Sequence, residues 1–135
     1  MTKFIVSVMQ VSTTLFRTHP HVNKYPNVDE LPYTFIFRSS LCWLLIARRW
    51  ISVGGAKRVK TEKLRNDMVD GFFASYATYF DGLLTFDKKL VEIYQEASAL
   101  LDAIISRNAD NRRYLTPAVQ HPLRSRAART PGSIE

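Results

Sequence analysis

Residues 66–90 read Asn66-Asp67-Met68-Val69-Asp70-Gly71-Phe72-Phe73-Ala74-Ser75-Tyr76-Ala77-Thr78-Tyr79-Phe80-Asp81-Gly82-Leu83-Leu84-Thr85-Phe86-Asp87-Lys88-Lys89-Leu90, and the fold turns on how they are read. Val69, Phe72, Phe73, Tyr76 and Phe80 recur at three- and four-residue spacing, which predicts a helix from Asp67 to about Tyr79 with this stripe against the core. Asn66 stands where an N-cap is wanted, and Asp67 and Asp70 would then face the positive end of the helix dipole. About a third of the way round the same cylinder, Asp67, Asp70, Ala74 and Ala77 make a second line of two acids and two small residues, offering charge and space. Asp81-Gly82 reads as a turn and Leu83-Leu84-Thr85 as a short buried strand, with Asp87 just past its C-terminal end. Lys88 to Ile105 closes the segment as an amphipathic helix whose apolar side holds Leu90, Ile93, Tyr94, Ala97, Leu100, Leu101 and Ile104. A helix, a short apolar strand and another helix predict an α/β unit, in which polar groups at strand C-termini point into a crevice.

Working outward, Tyr33 to Ile51 is apolar on nearly every side and predicts a mostly buried helix, stopped by Gly54-Gly55. Ala56 to Arg65 is a charged connector or short helix. His19 to Pro32 holds three prolines among Asn23, Asn27 and Asp29 and reads as a loop. Lys3 to Val11, rich in Val, Ile and Phe with Ser and Thr between, suits a short strand, with a buried helix as the alternative at this length. The expected organisation is therefore an N-terminal strand and Pro-rich loop (1–32), a core (33–105) and a basic, disordered tail (106–135).

A chain of 135 residues with 46% hydrophobic content is one globular domain's worth. Of its +7 formal charge, six arginines from Arg107 onward, set against Asp110 and Glu135, supply +4, so the basic excess is concentrated in the tail. Such an excess favours polyanions such as nucleic acid or an anionic membrane surface. Cys42, the single cysteine, excludes an internal disulfide and sits in an apolar run, which points to a reducing, cytoplasmic setting. Lys3 and Phe4 to Met9 resemble a weak signal sequence, but Gln10, Ser12, Thr13 and Thr14 interrupt it and no small-residue cleavage site follows. The run Phe35 to Ile51 is broken by Arg38, Arg48 and Arg49 and falls short of the roughly 20 apolar residues a membrane span needs, so no membrane partner is expected.

A hydrolase acting on phosphodiesters needs converging carboxylates to hold Mg²⁺ or Mn²⁺, and Asp67, Asp70, Asp81 and Asp87 are the candidates. Each also has a structural reading: Asp67 and Asp70 as helix-start residues, Asp81 as a turn residue before Gly82. The order Asn66-Asp67-Met68-Val69-Asp70, then Tyr76 through Leu90 with Thr85-Phe86-Asp87, resembles the C-terminal part of PIN-like ribonuclease domains. There an acid opens a helix, the helix leads to a short strand, and Thr-x-Asp follows. The resemblance extends back through Phe35 to Trp50, about half the chain. It implies an incomplete PIN-like three-layer α/β fold, mostly helical with a short parallel sheet. It also implies a divalent-metal-dependent ribonuclease in which Asp70 and Asp87 are catalytic ligands, with Asp67 the alternative helix acid. Asp81 would then orient ligands and Thr85 support Asp87. Asp29 and Glu30 are the only acids ahead of Glu62, so the family's N-terminal acidic motif is missing. The alternative is a non-catalytic remnant serving as an interaction or RNA-binding module. An incomplete sheet would further call for a protein partner or a second copy to cover its edge.

Other residues carry weaker signals. His19, His21, His121 and Cys42 lack zinc-ligand spacing. Gly54-Gly55 before Lys57 and Arg58 lacks phosphate-loop spacing and works as a helix stop. Trp43, Trp50, Phe72 and Phe73 fall on apolar faces, where core packing is expected over base stacking.

Overall fold

Among the residues that the computed structural model of this chain describes (2–22, 24–55, 60–80 and 82–115), every regular element is a helix. These are α1 (Thr2–Thr18), a 3-10 turn (Leu31–Tyr33), α2 (Phe35–Ser52), α3 (Thr61–Ala77) and α4 (Lys88–Leu115). The expected α/β architecture with a parallel sheet is therefore overturned, and with it the PIN-like three-layer fold. A strand needs a ladder partner, and Leu83-Leu84-Thr85 has none: it is irregular, with Leu84 wholly exposed.

Lys3 to Val11 takes the helical alternative, as part of α1. Its hydroxyls are absorbed by the helix's own carbonyls: Ser7 Oγ donates to Lys3 O at 3.2 Å and Thr14 Oγ1 to Gln10 O at 2.9 Å. Val8, Ser12 and Phe16, spaced four apart, are buried against the core, so the N-terminal segment shares that core.

Helix α2 forms as its sequence predicts. Thr34 caps it, its Oγ1 accepting from Phe37 N at 3.3 Å, and Gly54 and Gly55 adopt φ of 102° and 88° just past its end. Gly55 N donates to Trp50 O at 2.8 Å, closing the last turn. Phe37, Leu41, Cys42, Leu45 and Ile46 are buried, and α2 touches all three other helices. Each large side chain so buried contributes about 1.5–3 kcal/mol. Burial also pushes the Cys42 thiol up to about 11, so it stays a neutral core group.

Helix α2 runs antiparallel to both α3 and α4. Trp50 meets Asp67 at one end and Arg38 meets Thr78 at the other, while Arg49 pairs with Glu92. Helices α3 and α4 consequently run parallel, so the link from Thr78 to Asp87 has to return along α3. Ten residues extended reach about 33 Å, enough to retrace a 17-residue helix of about 25 Å. Leu83-Leu84-Thr85 belong to that return and need no sheet.

Arg38 holds the far end together. Only 8% exposed, it donates from Nε to Pro32 O at 2.9 Å and from Nη1 to Thr78 O and Oγ1, with the Tyr79 ring stacked 3.9 Å away. Helix α4 buries Leu90, Ile93, Ala97 and Leu101 as expected, but continues to Leu115, ten residues beyond the boundary drawn at 105. Residues 116–135, the rest of the basic tail, lie outside the described residues.

Candidate functional site

Helix α3 starts at Thr61 with Lys60 as its N-cap, so Asp67 and Asp70 are interior residues and the first-turn reading of both is corrected. The helix is also rotated relative to the reading from hydropathy. Its core face is the line of acids and small residues: Asp67 is 3% exposed, and Gly71, Ala74, Ser75 and Ala77 are buried. Val69, Phe72, Phe73 and Tyr76 lie on the exposed side, and Phe80, past the helix end, is exposed as well. The cause is steric. A Cβ on Gly71 would overlap the Trp43 indole and come within 3.1 Å of Ile46 Cδ1, so α3 approaches α2 closely only through its small residues. Phe72 and Tyr76, at the edge of this contact, stack on α2: Phe35 lies 6.4 Å from Phe72 and 4.6 Å from Tyr76, and Trp43 makes a 4.9 Å edge contact with Phe72.

Two of the carboxylates named from sequence, Asp67 and Asp70, meet one cation, Lys89, which that reading passed over. Its ammonium hydrogen-bonds Asp67 Oδ1 and lies 3.7 Å from Asp70 Oδ2. Trp50 Nε1 donates to the other oxygen, Asp67 Oδ2, at 2.7 Å. Burial pushes the Asp67 carboxyl up, but the hydrogen bonds from Lys89 and Trp50 and the Lys89 charge outweigh it and hold the group below its ordinary value. Asp70 goes the other way. Burial raises it, Lys89 opposes, and the neighbouring charges of Asp87 and Asp67 push it higher still.

Asp87 is the N-cap of α4. Its Oδ1 accepts from Lys89 N at 2.9 Å and Leu90 N at 3.2 Å, and Thr85 Oγ1 accepts from Asp87 N at 3.1 Å. These bonds fix where α4 starts and so set Lys89 beside Asp67. Asp81 lies outside the described residues.

This donor set does not fit a resident Mg²⁺ or Mn²⁺. An ammonium occupies the centre, both Asp67 oxygens are engaged, and Asp87 is turned to its own helix. Among the described residues no three of His, Cys, Asp and Glu are placed to hold a metal ion. Spacing found the three acids; Lys89 was legible only as the residue two positions past the cap. Among the described residues no helix is long and apolar enough to cross a membrane. Compared with protein-family models, curated proteins and solved structures, the chain matches none.

Proposed function

We propose that this chain is a non-catalytic helical interaction module that docks through the outer face of α3, with a second copy of itself as the partner. One observation carries this: Val69, Phe73 and Tyr76 lie at i, i+4 and i+7 on one face of α3 while remaining 47%, 58% and 56% exposed, and Phe80, in the turn just past the helix, is 68% exposed. Exposed apolar side chains grouped on one face mark interaction sites, and this spacing is that of helices that insert an anchor row into an apolar surface. Leu84 and Phe86, on the return link, add two wholly exposed apolar side chains. Two such faces related by a two-fold axis complement one another with no further component. A reducing, cytoplasmic setting, supported by the lone buried Cys42, belongs to the same proposal.

Sedimentation velocity at micromolar concentrations is expected to give a concentration-dependent dimer. A Phe73→Glu/Tyr76→Glu variant of unchanged helix content should stay monomeric. Wild-type protein that sediments as a monomer throughout would remove the self-pairing.

A second reading keeps the divalent-metal ribonuclease chemistry that the PIN-like resemblance implies, with RNA as partner. Its support is the proximity of three acids, Asp67, Asp70 and Asp87, close enough for the charges of Asp67 and Asp87 to raise Asp70, and it requires Lys89 to give way to the ion. Two variants of one residue separate the readings. Asp87→Ala removes the α4 cap and is expected to cost about 1 kcal/mol by urea unfolding, whereas Asp87→Asn still caps the helix and should cost little. Asp87→Asn is expected to leave Mn²⁺ titrations and incubations with single-stranded RNA unchanged. Metal-dependent cleavage by the wild type that this variant loses would establish the ribonuclease reading instead.

A further inference from the structure

Helices α1 and α4 do not close completely, and no residue of α3 lines the gap between them. They leave a half-open cleft of about 300 Å³, with Met9 on one wall, Leu100 and Ile104 on the other, and Phe37 of α2 among its lining. Its far end, one turn further along α4, carries Arg107 and Asn108. Arg107 is the one charged residue among the described residues lining this space.

We propose that the cleft binds a free single-chain amphiphile with a carboxylate head. The alkyl chain lies along Met9, Leu100 and Ile104, and the head is taken by the Arg107 guanidinium and the Asn108 amide. Three features of the cleft select this ligand. Its lining is mostly apolar, which favours a hydrocarbon chain over a sugar or nucleotide. Its volume is at the lower end for ligand sites and cannot admit a helix about 10 Å across, which excludes a docked helix. Its charge is of one sign and sits at one end, and a guanidinium holds a carboxylate through two parallel hydrogen bonds. The head group stays near solvent, because Arg107 is itself exposed, so the charge is not stripped of water. The cleft lies away from the α3 ridge and does not depend on the docking role proposed for it.

Isothermal titration of the full chain with dodecanoate, below its micelle-forming concentration, is expected to give saturable one-to-one binding. Dodecyltrimethylammonium, with the same chain and the opposite charge, should bind at least tenfold more weakly. Arg107→Glu should weaken dodecanoate at least tenfold, while Arg17→Glu, an equal charge change outside the cleft, should leave it unchanged. Ala103→Trp, which fills the cleft from its exposed rim, should abolish saturation with the helical circular dichroism retained. Equal affinity for the cationic amphiphile, indifference to Arg107→Glu, or binding to phosphatidylglycerol vesicles without binding to free dodecanoate would each overturn the proposal.

Discussion

Gly71→Leu is expected to lower the free energy of unfolding by about 3 kcal/mol, read from the urea midpoint at constant slope. The new side chain would meet the Trp43 indole and Ile46 where even a Cβ finds no room, so α3 would have to move off α2. Better helix propensity than glycine offsets about 1 kcal/mol of the overpacking and does not reverse its sign. Separating the helices would also disturb the Ala74 and Ala77 contacts and the bond from Trp50 to Asp67. Phe73→Glu, two residues along the same helix, is expected to change stability by less than about 0.5 kcal/mol in dilute protein, because Phe73 is exposed on the opposite face. The pair tests the rotation of α3. A core-facing aromatic stripe would reverse the ranking, with Phe73→Glu the damaging substitution.

Lys89→Met is expected to cost about 3 kcal/mol, because it leaves the buried Asp67 carboxylate with Trp50 as its one remaining hydrogen-bond partner among the described residues. Asp67→Asn removes the charge together with the need for the cation, so the double variant should recover part of that loss, and a double-mutant cycle measures the recovery. The pH dependence has a definite sign. Asp67 is held below its ordinary value in the folded chain, so its contribution is fully present above the unfolded carboxyl value, about 3.9, and is lost as pH falls through the lower folded one. In Lys89→Met, burial of Asp67 loses its strongest opponent, and the variant should gain stability relative to wild type as the solution is acidified. Asp70 is raised by burial and by its acidic neighbours, so its charge costs stability above its folded value. Asp70→Asn is expected to raise the thermal midpoint at neutral pH. A fall in that midpoint would show that the 3.7 Å approach of Asp70 to Lys89 outweighs the repulsion.

Structure is legible in this sequence where local chemistry and burial agree. Thr34, Gly54 and Gly55 bound a helix by rules that act within one turn, and the apolar side of α4 follows the 3.6-residue period from Leu90 to Leu101. It is not legible where two outcomes share one composition. Lys3 to Val11 suits a strand or a buried helix, and the choice fell to packing of Val8, Ser12 and Phe16 on α2. Leu83-Leu84-Thr85 has strand-forming residues but no neighbour to complete a ladder, because the chain uses it to travel back along α3.

The acids show the same division. Order and spacing named these residues, whereas the partner that neutralises Asp67 was not legible there. Sequence places Asp87 one residue before α4 and Lys89 just inside it; only the parallel course of α3 and α4 brings that lysine against Asp67 and Asp70. The amino-acid sequence by itself determined that Asp67 to Ala77 would be helical, with large apolar residues on one side and acids and small residues on the other. Tertiary structure decided which side faces inward. Hydrophobic burial favours the aromatics, but α2 presents Trp43 at the crossing, and two helices each carrying bulky side chains there could not approach. The small face packs, Lys89 and Trp50 compensate the buried carboxylate, and the aromatic ridge is left to solvent.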